Sequence, residues 1–332
     1  MTDIFQNKFE DTETGLGHAL DCAHLDKSPL VVGLGEVLWD LLPSGRVLGG
    51  APANFAYMAT LLGNHGCVAS RVGNDLLGLQ ACATMEELGV DTSYVQCDNQ
   101  HATGTAGVQV GLSGQPTFEI GHPVAWDFLE WIPAWEELSS RVNAVCFGSL
   151  AQRSSASAKT IEYFLQNTPA NALRICDANL REPFYSVESL RRSFQYADIL
   201  KLNDLELIHV GLLLGISAVD DVELAKRLFS EFDLKLICIT KGARGSLLIS
   251  ESKIVEHVGV RVGVADAIGA GDAFTACVAH YYMQGSPLEE ISEAANRLAA
   301  WVATQVGATP LISRPQLLEI LGTANGYGQS VT

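Results

Sequence analysis

The sequence is short of positive charge. Its 332 residues contain 21 Lys and Arg against 38 Asp and Glu, which gives a formal net charge of −17. A chain this acidic has no general attraction for nucleic acid or an anionic membrane surface, so neither is expected as a partner. No run of 18 or more mainly apolar residues occurs, which argues against a membrane-spanning helix. The first fifteen residues show neither the basic nor the apolar segment of a secretion signal, so we expect a cytoplasmic protein.

Signatures of two nucleotide-binding folds are also missing. No Walker A sequence, GxxxxGK[ST], occurs, which excludes a P-loop kinase. Gly33 and Gly35 invite comparison with a dinucleotide-dependent oxidoreductase, but that fingerprint needs a third glycine at position 38, where Leu38 stands. The eight cysteines form no CxxC pair and no Cys/His metal spacing, and we interpret them as reduced core residues.

Short apolar runs alternate with helical stretches along most of the chain. The runs predict buried strands at 30–35, 67–72, 144–147, 173–176, 199–202 and 236–240, and residues near 245–260 are typical of a hairpin. Helices are predicted near 52–63, 75–88, 155–167, 186–195, 203–212, 221–231, 270–284 and 288–304. This alternation predicts an α/β fold with a mainly parallel sheet. We expect one domain over residues 29–320, with a loose N-terminal arm at 1–28 and a C-terminal tail at 321–332.

Two segments break this alternation. Residues 38–50 form a short polar excursion between the first strand and its helix, and residues 103–121 alternate small, Thr and Val residues around a turn at 113–116. We expect these segments to form a small β lid beside the main sheet.

The strongest chemical signal is the stretch DAIGAGDAF, residues 266–274. Gly269, Ala270 and Gly271 precede a strongly helical stretch, so their backbone amides can receive an anion at the helix N-terminus. Asp272 would stand beside a bound phosphate and could take the proton of an attacking hydroxyl. An ordinary capping Asp after a glycine-rich turn explains the same pattern about as well.

A second glycine-rich turn, GGAPAN, begins the first helix. Gly49 and Gly50 permit a close approach, and the amide of Asn54 can both donate and accept, which suits a polyhydroxyl ligand. Asp40, just past the first strand, could accept from two sugar hydroxyls. The alternatives are plain turn chemistry for Asn54 and a solvated acidic loop for Asp40.

Three further motifs each follow a predicted strand. In DANLRE, Arg181 is one of few basic residues near a candidate site, so we expect it on the substrate side, in contact with a phosphate. In KLNDLE, Asn203 and Glu206 share a helix face where Glu206 could hold a hydrated Mg²⁺, although a capping box gives the same spacing.

The third of these motifs is TKGARG. Thr240, Gly242 and Gly245 offer a hydroxyl and flexible backbone to a nucleotide phosphate, and a tight hairpin turn is the alternative explanation.

The joint order of the motifs resembles the ribokinase-like (PfkB) carbohydrate kinase family over about residues 30–312. The resemblance implies a doubly wound, mainly parallel α/β sheet flanked by helices, with a small β lid. It implies ATP-dependent phosphorylation of a sugar hydroxyl, with Asp272 as catalytic base and the 269–271 amides as anion hole. Asp40, Gly49, Gly50, Asn54 and Arg181 would serve the substrate, and Asn179, Asn203, Thr240, Gly242 and Gly245 would serve ATP.

The same resemblance implies cations. Mg²⁺ would be served by Glu206 through water, and K⁺ by carbonyls of Asp266 and Ile268, with Val302 and Gly307 as weaker candidates.

Within the family, GGAPAN and DxNxR look most like the fructokinases. Segment 36–54 contains a single basic residue, Arg46, which argues against an acidic sugar. We therefore expect a neutral acceptor, D-fructose first, phosphorylated on a primary hydroxyl. Ribokinase, nucleoside kinase and 2-keto-3-deoxygluconate kinase stay open, whereas the retained Asp272 argues against a catalytically silent relative. The aromatic surface that a nucleoside kinase needs for stacking could come from Trp39, Phe118 and Trp126. Eight residues separate Asp40 from Gly49, so the lid is either small or completed by another subunit, and a homodimer stays open.

Overall fold

The computed structural model describes residues 28–42, 45–110 and 116–322. Within this part of the chain thirteen strands form, numbered β1 to β13: Leu30–Leu34, Leu38–Leu42, Gly45–Gly49, His65–Gly73, Val95–Asp98, Gly104–Val110, Pro116–Ile120, Ala144–Phe147, Leu173–Asp177, Ile199–Asn203, Leu236–Thr240, Ser246–Ser250 and Ile254–His257. Ten helices, α1 to α10, span Ala51–Leu61, Leu76–Glu87, Pro133–Ser139, Ser155–Gln166, Val187–Tyr196, Asp204–Leu214, Asp221–Glu231, Ala270–Met283, Leu288–Ala303 and Arg314–Leu321.

Nine strands make the main sheet, in the order β13-β12-β11-β10-β9-β8-β1-β4-β5. Its pairs are parallel from β5 to β11, and β12 and β13 add an antiparallel hairpin at one edge. Both faces are covered, because α1, α2, α8, α9 and α10 pack on one side and α3 to α7 on the other. Burial on both faces explains the continuous apolar runs in the sequence. The predicted α/β class and mainly parallel sheet are confirmed.

Four strands form a separate small sheet, in the order β3-β2-β6-β7. β2 pairs antiparallel with β3 and parallel with β6, and β6 pairs antiparallel with β7. The polar excursion at 38–50 is thus a hairpin, and it joins the hairpin predicted at 103–121. The turn at 111–115 lies outside the described residues, as do the N-terminal arm to residue 27 and the tail from 323.

Three elements were not predicted from the sequence: β5, α3 and α10. β5, VQCD, has four residues and no apolar run like that of the equally short β8. α3 has seven residues and α10 has eight, too few to show a clear helical period. α10 also continues to Leu321, one residue beyond the predicted domain end.

The cysteine prediction is confirmed for most of the described ones. Seven are free thiols, and five of these lie in the core: Cys67, Cys146, Cys176, Cys238 and Cys277. Cys97 is exposed and Cys82 half-buried. Among the described residues, none of the helices has the length and apolar character needed to cross a membrane.

Candidate active site

The N-terminus of α8 lies at the centre of the candidate site. Gly269 caps the helix with φ 79°, a left-handed conformation that favours glycine. A Cβ there would lie 2.6 Å from Ala308 Cα, so space also demands glycine. Ala270 and Gly271 form the first turn with Asp272. The predicted cluster of amides and carboxylate at one helix end is therefore present.

Asp272 is held in place by an amide. Asn54 Nδ2 donates to Asp272 Oδ2 at 2.7 Å, which joins α1 to α8. Burial and the nearby carboxylate of Asp177 raise the pKa of Asp272 to about 6, against the stabilising hydrogen bond from Asn54. A carboxylate with this pKa is ionised at neutral pH and still basic enough to receive a proton.

A buried lysine, Lys201, that was not predicted as a site residue completes the centre. The side chain of Lys201 is 9% exposed, and its Nζ donates to Asp177 Oδ1 at 3.1 Å. Thr275 Oγ1 donates to Asp177 Oδ2 at 3.0 Å. Burial opposes the charge of Lys201, but Asp177, Glu206 and Asp272 outweigh it and raise its pKa, so the ammonium stays charged.

Lys201 also borders the anion-binding amides. A Cβ built on Gly271 would lie 3.0 Å from Lys201 Nζ, which places the positive charge at the first turn of α8. A lysine inside the apolar strand sequence ILKLN was the signal that could have found it, because a charge is rarely buried without a partner.

One cavity of about 390 Å³, which we call the Asp40 cavity, opens next to Asp272 between the small sheet and the ends of the main strands. Its lining includes four of the five predicted substrate residues: Asp40, Gly50, Asn54 and Arg181. The predicted catalytic residues Gly269, Gly271 and Asp272 and the K⁺ candidate Ile268 line it as well. Gly49 is absent from this lining. It makes room instead, because a side chain at position 49 would overlap the carboxylate of Asp40. Burial raises the pKa of Asp40 above its usual value.

Two residues that line this cavity each have a buried acceptor atom without a hydrogen-bond partner among the described residues. The two atoms are Glu36 Oε2 and Asn54 Oδ1. Glu36 is 3% exposed, and burial, reinforced by Asp272, raises its pKa to about 7. Because a buried acceptor without a donor costs free energy, these atoms favour a ligand rich in hydroxyl groups. Glu36 stands four residues before Asp40, and its place past the first strand predicted a position near the ligand but no particular contact.

Asn179 and Arg181 come to this cavity on the segment after β9. Asn179, predicted to serve ATP, lines the Asp40 cavity and not the cavity that contains the other predicted ATP residues. Its φ of 38° bends the chain so that Arg181, two residues on, reaches the same cavity.

A second cavity of about 450 Å³ lies on the other side of the anion-binding turn. Its lining contains four predicted nucleotide residues: Asn203, Thr240, Gly242 and Gly245. Apolar side chains, among them Val262, Val264 and Phe274, complete the wall. Lys201, Ala267 and Gly271 line both cavities, so the two meet at the N-terminus of α8.

Glu206 forms the capping box that was the alternative explanation for its spacing. Asn203 Oδ1 accepts from Glu206 N at 2.8 Å, and Glu206 Oε2 accepts from Asn203 N at 2.8 Å. Its other oxygen, Oε1, accepts from Leu180 N at 2.8 Å. No group of three or more His, Cys, Asp or Glu suited to a metal occurs among residues 28–42, 45–110 and 116–322.

The predicted K⁺ segment is bent around Asp266. Its Oδ1 accepts from Ile268 N at 3.0 Å and its Oδ2 from Gly307 N at 3.2 Å. The structure thus brings Asp266, Ile268 and Gly307 together, beside the cap of α8. The fourth candidate, Val302, is buried in α9, and its carbonyl accepts from Gln305 N at 2.9 Å.

Residues 45–314 match the model of the pfkB family carbohydrate kinases. The chain belongs to this family and is a carbohydrate kinase, a phosphotransferase that uses an alcohol group as acceptor. It is 31% identical over 256 residues to the fructokinase of Escherichia coli, covering 73% of this chain and 81% of that protein. It is 29% identical over 324 residues to fructokinase-1 of Oryza sativa subsp. japonica, covering 89% and 97%.

Solved structures agree with this family and fold. The fructokinase of Vibrio cholerae O395, solved with fructose, ADP and calcium ion bound, gives a TM-score of 0.74 at 25% identity and covers 89% of this chain and 99% of that one. A sugar kinase from Pyrococcus horikoshii gives 0.76 at 25% identity, with the same coverage. The resemblance to the PfkB family is confirmed.

Proposed function

We propose that the protein is an ATP-dependent fructokinase that phosphorylates a primary hydroxyl of D-fructose. The observation that carries this proposal is the meeting of two cavities at Gly271, in the first turn of α8 and next to Asp272. A sugar in the Asp40 cavity and a triphosphate in the other would have their reacting ends at one anion-binding turn.

In the proposed reaction, Asp272 accepts the proton of the attacking sugar hydroxyl. The oxygen then bonds to the γ-phosphorus as the bond from phosphorus to the β–γ bridging oxygen breaks, and ADP leaves. The amides of Gly269, Ala270 and Gly271 and the ammonium of Lys201 stabilise the charge that develops on the transferred group. Asn54 keeps the carboxylate of Asp272 oriented and ionised.

The site offers few protein ligands for the two expected cations, Mg²⁺ and K⁺. Both oxygens of Glu206 already accept backbone amides, and the described residues offer no protein cage for a metal. We therefore infer that Mg²⁺ would be held by the nucleotide phosphates and water, with Glu206 contacting that water, which is the coordination that Mg²⁺ prefers. Its chemistry would be charge neutralisation on the phosphates. K⁺ would be held by carbonyls at Asp266 and Ile268, beside the anion-binding turn.

The cavity also bears on the choice of sugar. Asp40, Glu36 and Asn54 offer acceptors to several hydroxyls, and Arg181 is the one cation beside Lys201 among the described lining residues. None of those lining residues is aromatic, which disfavours a nucleoside that would stack on a ring. Of the three aromatic residues that kept a nucleoside kinase open, Trp39 and Trp126 are buried in the cores, and the side chain of Phe118 lies outside the described part of the structure. The names of the relatives from Escherichia coli and Oryza sativa support fructose.

Acceptor profiling tests the proposal. A coupled ADP-release assay compares kcat/KM for fructose, ribose, 2-keto-3-deoxygluconate and adenosine, with ATP and Mg²⁺ present. Fructose is expected to give the highest value. A preference for ribose would overturn the hexose assignment alone, and a preference for either of the last two would overturn the neutral-sugar assignment as well.

A further inference from the structure

A groove of about 400 Å³ lies outside the two cavities of the active site. Its walls are the segment after β8, the segment before α5 and the first turns of α4 and α5. We call it the basic groove and define it by Arg153, Lys159, Phe184, Ser186 and Arg192. Nothing in the proposed phosphoryl transfer uses it.

The groove is positive on an acidic protein. Lys159 and Arg192 form no ion pair with another residue of the described chain, although the protein as a whole carries a charge of −17. One carboxylate, Glu188, lines the same groove and balances one of the two charges. The helix dipoles of α4 and α5 add positive potential, because the first turns of both helices line the groove.

Arg153 adds an unsatisfied donor. Its side chain is 3% exposed, and Nε and Nη2 bind the two carboxylate oxygens of Asp127 at 2.7 and 2.8 Å. Its guanidinium lies 3.9 Å from the ring centre of Trp126 and 4.7 Å from that of Phe184, which fixes its position. The third nitrogen, Nη1, is buried without a hydrogen-bond partner, and so is Nε of Arg192. The buried Arg153 and the half-buried Arg192 each have an unused donor, which favours an anion.

We propose that the basic groove is a second binding site, for a small phosphomonoester. A phosphate group brings about two negative charges and three acceptor oxygens, which match Lys159, Arg192 and the two helix ends better than a single carboxylate does.

The groove is connected to the Asp40 cavity, which is the proposed sugar cavity, by one short segment. Asn179 and Arg181 line the sugar cavity, and Phe184 and Ser186, a few residues further along, line the groove. On the other wall, Leu150 lines the sugar cavity and Arg153 lines the groove. We therefore expect an anion in the groove to change the KM for the sugar through the position of Arg181. This coupling rests on the proposed function, whereas binding in the groove does not.

Binding is measured by calorimetry with methyl phosphate and with inorganic phosphate, while a non-hydrolysable ATP analogue fills the anion-binding turn of α8. The full-length chain should bind both probes. The double variant Lys159→Gln/Arg192→Gln should bind them about tenfold or more weakly, because two charged hydrogen-bond donors are lost. The matched control Lys226→Gln/Arg314→Gln removes two charges elsewhere and should bind as the unchanged protein does.

Three results would contradict parts of this inference. If the unchanged protein does not bind methyl phosphate, or the groove variant binds it equally well, the second site is refuted. If binding is lost in the groove variant but methyl phosphate leaves the KM for fructose unchanged, the coupling is refuted and the site stands. If the protein binds methyl phosphate in the groove but phosphorylates no sugar, the proposed function fails and the site stands.

Discussion

Replacing Asp272 with Asn tests the proposed general base through its effect on kcat and, independently, through its effect on stability. The substitution keeps the size and the polar contact with Asn54 but removes the proton acceptor. We expect kcat to fall by about 10²–10⁴-fold, the usual contribution of a general base. A variant that retains more than about a tenth of the wild-type kcat would exclude Asp272 as the base.

The pH dependence of kcat/KM in the unchanged enzyme tests the raised pKa of Asp272. The pKa of about 6 belongs to the ligand-free protein, and kcat/KM reports ionisations of the free enzyme. Because only the ionised carboxylate accepts a proton, kcat/KM should fall as the pH drops through 6, and at pH 5 it should be about a tenth of its plateau. An Asp with an unperturbed pKa would leave the rate at pH 5 almost unchanged, and that result would refute the environment described for Asp272.

Stability should move in the opposite direction from activity. Since the folded protein raises the pKa of Asp272 above its unfolded value of 3.8, it binds the proton more tightly, and the ionised carboxylate destabilises the fold above about pH 6. Asp272→Asn removes that charge and should raise the free energy of unfolding at pH 7, by about 3 kcal/mol at most. The gain should shrink as the pH falls below 6 and vanish below about 4. Thermal melts at pH 4 and pH 7 measure both, and equal effects at the two pH values would contradict the assignment.

Three further substitutions address the neighbours of Asp272. Glu206→Gln should weaken activation by Mg²⁺ and leave sugar binding without nucleotide nearly unchanged, and an unaltered Mg²⁺ titration would leave Glu206 as a capping residue only. Asp40→Ala should raise the KM for fructose about tenfold or more while the KM for ATP stays nearly constant, because charged hydrogen bonds to the sugar are lost; equal changes in both KM values would contradict a sugar contact. Lys201→Met should lower kcat by about 10²-fold and also lower Tm, since it leaves Asp177 buried without its cation. Adding Asp177→Asn should restore Tm but not kcat, and recovery of kcat in that double variant would show that Lys201 acts on the fold alone.

Local chemistry made the helix N-terminus at Asp272 predictable. Glycines at 269 and 271 followed by a helical stretch define an anion-binding turn without knowledge of the rest of the fold, and TKGARG marks a strand end in the same way. The parallel sheet was equally accessible, because strands buried on both faces carry an unbroken apolar run.

Contacts between elements that are distant in the sequence could not be predicted from local chemistry. The partners of Lys201 come from β9 and α8, and only the packing of those elements shows that the lysine is paired at all. The family resemblance implied that Asn179 serves ATP, but the bend after β9 carries it into the cavity lined by Asp40. Gly49 was predicted to contact the substrate, and its space-making role follows from the pairing of β2 with β3.

The overlap between positions 40 and 49 also constrains how this enzyme can diverge. The carboxylate of Asp40 occupies the volume that any side chain at 49 would need. A mutation that enlarges residue 49 first would displace the carboxylate, and the enzyme would pass through a form in which the proposed sugar site is damaged. A shorter residue at 40 opens the space but removes the acceptor. We therefore expect a new specificity for the phosphoryl acceptor at this hairpin to require paired substitutions. A library that varies positions 40 and 49 together should yield active variants that single-site libraries miss.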